Sequence, residues 1–197
     1  MIFDTIFRLT LHMENEMKPK KIITAILFTL VLFFPFLLPL VFQWSNSLYG
    51  KETNIVIHKI PLHTTGNNFY NLKNQPTLLF FGYASCPVIC PKALSILFNI
   101  KQKNPQSEIL FVTVDPEQDS RETLQKLEQQ FPGLVALRGT PGQTRDLLSS
   151  LNGFSSNVGD KVTHSTHIYM ITPQGKVIIY PYSSPDVVKI TKDMKLF

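Results

Sequence analysis

Two uninterrupted apolar runs, "TLLFFGY" at 77–83 and "EILFVTVD" at 108–115, decide most of what this chain can become. A strand that is apolar at successive positions, not at alternate ones, is covered on both faces. Between the runs, residues 91–103 place Leu94, Leu97 and Phe98 at helical spacing. A buried strand, a helix and a second buried strand form a crossover unit, and such units pair their strands in parallel.

The alternation continues. Asp119 offers an N-cap with Glu122 three positions on, and Leu124, Leu127 and Phe131 form the apolar face of the helix that follows. "LVAL" at 134–137 reads as a third short strand. Thr140, Pro141 and Gln143 then supply a cap, a first-turn proline and a capping-box partner for a helix ending near Leu151. Residues 152–163 read as a polar loop. "HSTHIYMIT" and "KVIIY" flank the turn signal "PQG", and Val187, Ile190 and Met194 place a last helix on the same core. Before the first buried strand, residues 43–76 are turn-rich, with one strand-like run, "NIVIHKI", read as part of an edge hairpin. The pattern predicts an α/β thioredoxin-like sandwich over 55–197, preceded by a linker at 43–54.

Residues 22–42, "IITAILFTLVLFFPFLLPLVF", carry no charge. As a helix this run would span about 30 Å, the thickness of a bilayer core. Lys18, Lys20 and Lys21 precede it and no charge follows until Lys51, so the amino-terminal side, 1–21, is expected in the cytoplasm. The expectation is a single-pass anchor in a bacterial inner membrane with the carboxyl-terminal domain in the periplasm. A cleaved signal peptide fits less well, because the run is long and "VFQWSNS" has no small-residue cleavage pattern. "MKPKKIITAILF" from Met17 also reads as a complete signal-anchor start. From Gln43 onward, 15 Lys/Arg face 11 Asp/Glu, but the basic residues are scattered, which argues for a solvated surface and against nucleic acid as a partner.

Both cysteines of the chain lie in "FGYASCPVICP", as Cys86 and Cys90. They follow a buried strand at the point where a helix begins, and sites in open α/β sheets collect there. A helix N-terminus favours the thiolate, the form that attacks disulfides and binds metal. At helical rise the two Cα atoms lie about 6 Å apart, within reach of a disulfide or of one shared ion. A permanent disulfide would close too short a loop to stabilise the chain much. A redox couple or a soft-metal clamp remain. Two thiolates favour Cu(I), and an imidazole would suit the same ion. Of the five histidines, His12 lies before the uncharged run, and His58 and His63 flank the early strand. His164 stands at the junction of the polar loop and a strand, where it can face the cysteines; His167 points the other way.

These residues resemble a known family. "FGYASCPVICP" is similar to the FGYTxCPDVCP motif of the SCO/SenC proteins. "VTVDPEQDSRETLQKL" resembles their DPExD stretch, "LRGT" a further segment, and "HSTHIYMITPQGK" their DHSxxxYLIDPxG stretch. The resemblance implies membrane-anchored, thioredoxin-fold, copper-binding proteins that assemble the CuA centre of cytochrome c oxidase, some of them thiol–disulfide reductants. Carried onto this chain, it implies metal ligands at Cys86, Cys90 and His164, with Cu(I) favoured and Cu(II) secondary. The implied partner is a CuA-bearing oxidase subunit or another copper or thiol protein. Two positions depart: Val88 stands where the family has Asp between the cysteines, and Thr163 where Asp precedes the histidine. The alternative reading is a thiol–disulfide oxidoreductase acting on periplasmic or CuA-site cysteines. There Cys86, expected to be the more exposed, attacks and Cys90 resolves.

Overall fold

The structure is a computed structural model and describes residues 23, 26–35, 48–158, 161–183 and 185–197. The chain divides into two units at Ser47/Leu48. In the first, residues 26–35 are helical, with exposed apolar side chains. Most of the rest of the 22–42 run, where the membrane anchor is expected, lies outside the described residues. Among the described residues no helix is long and apolar enough to cross a membrane.

The second unit is built on a seven-stranded sheet. Its strands are β1 (Lys51–Val56), β2 (His63–Thr64), β3 (Thr77–Gly82), β4 (Glu108–Thr113), β5 (Leu134–Arg138), β8 (Ile168–Ile171) and β9 (Lys176–Tyr180), in the order β1-β9-β8-β3-β4-β5-β2. β3, β4 and β5 pair in parallel, Phe80 opposite Phe111 and Phe111 opposite Ala136. β8 joins β3 antiparallel and β9 joins β8, so the central strands have the mixed pairing expected of a thioredoxin-like sheet. Every residue of β3, β4 and β8 is buried, which is why β3 and β4 read as unbroken apolar runs.

Helices α1 (Ile89–Lys103), α2 (Arg121–Gln130) and α4 (Val187–Met194) cover one face, meeting Leu78, Phe80, Phe111 and Ile178 with Leu94, Leu97, Leu124 and Ile190. Helix α3 (Pro141–Ser150) and the segment around Ile60 and Leu62 cover the other, against Leu79, Phe81, Leu110 and Val112. Alternate residues of β3 therefore feed two separate cores.

Four local expectations are corrected. The run at 54–60 does not form an edge hairpin: only its start is strand, in β1, which pairs with β9, while β2 pairs with β5 at the opposite edge of the sheet. Residues 152–163 are not only loop, because β6 (Ser155–Val158) and β7 (Lys161–His164) pair as a separate two-stranded hairpin. His164 therefore ends β7; it does not open the central strand, which begins at Ile168. The N-cap of α2 is Ser120, whose side chain accepts from the Thr123 N–H; Asp119 is turned inward. The capping box of Thr140 and Gln143 on α3 is as expected.

Candidate metal centre

β3 ends at Gly82 and α1 starts at Ile89, so the cysteine loop is the first crossover of the sheet, at the carboxyl end of its strands. The N-cap of α1, Val88, has no polar side chain to satisfy the first-turn amides. Cys86 takes part of that role: its Sγ accepts from the Cys90 N–H at 3.4 Å. Both cysteines are free thiols. Cys86 is the more open of the two, as expected, but by little: both are buried, at 8% and 4% exposure.

The two sulfurs are electrostatically unequal. Burial pushes the Cys86 thiol up, but hydrogen bonds from the Cys90 N–H, the Cys90 thiol and the Val88 and Ile89 amides outweigh it, so Cys86 lies below an ordinary thiol. Cys90 is pushed up to about 12, first by burial and then by donating its proton to Cys86. Of the reduced pair, Cys86 is thus the sulfur that ionises first and Cys90 the one that keeps its proton longer. Gly82 makes room for it: a Cβ there would lie 2.7 Å from Cys90 Sγ and 2.8 Å from the Phe111 ring.

The loop is held from behind by the "DPEQD" stretch. The buried Asp119 carboxylate accepts from the Ala84 N–H at 3.0 and 3.1 Å and from the Thr113 hydroxyl at 2.6 Å. Arg138 of β5 in turn donates to the carbonyls of Pro116 and Asp119. The stretch thus orders the loop, and the cap falls to Ser120, an equally good capping residue, which leaves the Asp119 carboxylate free to turn inward.

His164 approaches through Tyr83. The two rings meet edge to face with centroids 6.1 Å apart, and Tyr83 in turn lies beside the cysteines, whose charge helps burial raise its pKa. Half-buried, His164 has its pKa lowered by desolvation, against a smaller opposing effect of its bond to the Ser165 carbonyl, so it is held neutral. Its Nδ1 lies 2.9 Å from that carbonyl, which can only accept. Nδ1 therefore carries the proton and the Nε2 lone pair is left for a ligand. Cys86 and Cys90 are brought together; His164 shares a neighbour with them. Among the described residues no three His, Cys, Asp or Glu side chains are already gathered as a metal cluster. His58 lies at a surface groove beside Lys59 and Asp146, and the His167 ring is 6.1 Å from that of Tyr169. Thiol sulfurs and a neutral imidazole are donors of the kind a soft metal ion such as copper takes.

A parallel-centred sheet with a dithiol at its first crossover defines a thioredoxin-like protein whose helix N-terminus activates one of two cysteines. The chain belongs to the SCO1/SenC family, whose model matches residues 63–196. A SCO2-like protein of Rickettsia typhi is 32% identical over 127 residues, covering 58% of this chain and 63% of that protein. The chain thus spans a little under two thirds of that relative's length. Arabidopsis thaliana ScoI, solved with copper bound, is 26% identical, with a TM-score of 0.62 over 69% of this chain and 96% of that one. A SCO1/SenC family lipoprotein from Bacillus anthracis shares the fold, with a TM-score of 0.67 at 20% identity over 76% of this chain and 98% of that one.

Proposed function

We propose that the protein is a copper chaperone that carries Cu(I) on Cys86, Cys90 and His164 and delivers it to the CuA-bearing subunit of cytochrome c oxidase. The observation that carries the reading is the pair of free thiols at one helix start, with a half-buried imidazole whose Nε2 is left for a ligand across one tyrosine ring. Family membership and the copper-bound Arabidopsis relative support it. Cu(I) is the cargo. Uptake displaces the Cys90 proton, so that the ion meets two thiolates, and His164 completes the donor set. Delivery is ligand exchange: a recipient thiolate replaces one sulfur at a time, and no electron moves. Residues 22–42 would anchor the chain in the inner membrane, with the thioredoxin-like unit on the periplasmic side.

The inequality of the two thiols favours a second activity at the same pair, reduction of a recipient disulfide. The Cys86 thiolate attacks one sulfur of that disulfide and releases the other as a thiolate. Cys90, on losing its proton to solvent, then attacks Cys86 Sγ. Two electrons pass to the partner, and Cys86–Cys90 is left as a disulfide.

The same variants test both. Anaerobically reduced protein is expected to bind one copper, Cys86→Ser or Cys90→Ser to bind none, and His164→Ala to bind it more weakly. If all three keep the copper content of the parent, the chaperone reading is wrong. Disulfide reduction is expected to survive in His164→Ala and to vanish in Cys86→Ser.

A further inference from the structure

The "DPEQD" and "LRGT" stretches end on a second feature of the same rim, two crossovers away from the cysteines. A cavity of 180 Å³ opens there, lined by His63, Asn67, Arg121, Arg138, Thr140 and Gln143 among others. Three elements bring cationic or titratable groups to it. His63 of β2 is the direct register partner of Arg138 of β5, so the two side chains leave the same face of the sheet. Arg121 is the first residue of α2.

Among the described residues, both guanidinium groups donate only to neutral acceptors. Arg121 Nη2 donates to the Asn67 side-chain carbonyl, and Arg138 donates through Nε and Nη2 to the Pro116 and Asp119 carbonyls. Backbone and amide oxygens satisfy N–H groups but cancel no net charge. Each guanidinium has five N–H donors, so both keep donors to spare. Glu122 feels the field of both arginines and Asp119 that of Arg138. Yet among the described residues neither arginine forms an ion pair: the three salt bridges present involve Lys73, Lys176 and Lys189. The N-terminus of α3 adds little of its own, because the Thr140 and Gln143 amides are taken by the capping box. The side chains make the site.

We propose that this cavity binds a compact oxyanion, a phosphate or a carboxylate, forked between Arg121 and Arg138 with His63 as a further donor. Paired guanidinium forks match the flat oxygen edge of such groups, and the cavity is too small for a nucleotide. The site is independent of the copper reading, because it uses none of the residues proposed to hold the ion.

The test is nuclear magnetic resonance of the full-length reduced chain in detergent, titrated with inorganic phosphate and, separately, with acetate. Sodium chloride at matched ionic strength is the control. Saturable shifts are expected for the Arg121 and Arg138 Nε–H signals and the Gly139 and Thr140 amides, at about millimolar anion. The tighter of the two probes tells which source the cavity prefers. Arg121→Gln, an exposed first-turn change that leaves the fold intact, is expected to weaken binding at least tenfold. Arg121→Lys, which keeps the charge but not the fork, should fall between. Shifts that chloride reproduces, that never saturate, or that are unchanged in Arg121→Gln would overturn the proposal.

Discussion

At the scale of single residues, the dithiol works through unequal neighbours, not unequal exposure. Cys86 and Cys90 are almost equally buried, yet one pKa is lowered and the other raised to about 12. The cause is the neighbours: hydrogen bonds from amides and from the Cys90 thiol outweigh burial at Cys86, whereas at Cys90 burial, its bond to Cys86 and the charges of Cys86 and Asp119 outweigh one backbone bond at Tyr83. A pH dependence follows. Thiolate at Cys86 accumulates below the ordinary thiol value of 9.0, whereas Cys90 stays protonated well above it. In an iodoacetamide series read by peptide mass, Cys86 is therefore expected to be alkylated first, with its midpoint below 9.0, and Cys90 to remain unmodified there. Equal modification of the two, or Cys90 first, would contradict the assignment. The sign also holds for stability. The raised Cys90 pKa contributes stability that is full below the unfolded value and is lost as pH climbs from 9.0 towards about 12. The depressed Cys86 pKa contributes in the opposite sense, present above the unfolded value and lost as pH falls through the folded one.

At the scale of elements, the start of α1 is under-capped, and this is where the chain departs from its family's motif. Val88 is 66% exposed, makes no side-chain cap bond, and leaves the Cys90 amide to a sulfur acceptor at 3.4 Å. Val88→Asp would restore an oxygen acceptor beside the positive end of the helix. It should stabilise the fold by about 1 kcal/mol. The same carboxylate would repel the Cys86 thiolate and raise that thiol's pKa. Urea unfolding and the alkylation midpoint should therefore move upward together; a stability gain with an unchanged midpoint would show that position 88 does not couple to the sulfur. Which elements could be read from sequence follows the same physics. β3 and β4 and helices α1 and α3 were legible because continuous apolar runs, helical spacing and a capping box are local signals. β6 and β7 were not, since "SSNV" and "KVTH" have no apolar alternation and owe their pairing to each other. β1 read as part of a local hairpin because adjacent segments usually pair, and the two residues of β2 are too few to give a signal. Their true partners, β9 and β5, lie more than a hundred and more than seventy residues away. The cysteines of the site were legible as a pair. The partner of Asp119 was not legible, since its bond to Ala84 spans 35 residues and a whole crossover of the sheet.

At the scale of the whole molecule, the thioredoxin-like unit is closed by a clamp between its two ends. The carboxylate of Asp193 in α4 is buried and accepts from the Tyr49 and Gly50 amides at 2.9 Å each and from the Tyr180 hydroxyl at 3.0 Å. Gly50 must be glycine for the strand to come this close: a Cβ would lie 2.4 Å from both the Ile178 side chain and the Tyr180 ring. Tyr49 packs over Tyr180, and the Lys189 ammonium lies over the Tyr49 ring at 5.1 Å from its centroid. The entry of the unit is thereby fastened to its last helix, across 144 residues of sequence. A buried carboxylate with three donors is an all-or-none arrangement, because removing the charge strands the donors it served. Asp193→Asn keeps the shape but turns an N–H towards at least one of those donors. It is expected to cost about 3 kcal/mol, the loss of charge-assisted bonds plus an unsatisfied buried group. Chemical denaturation of the full chain in detergent would show this as a lower midpoint at unchanged slope. Amide exchange should quicken first at Tyr49, Gly50 and α4. The cysteine loop lies at the other end of α1 from this contact, so copper stoichiometry should be preserved in Asp193→Asn below its transition. A parental denaturation midpoint in that variant would mean that the two ends are held by side-chain packing alone, and that the carboxylate contributes nothing to closing the fold.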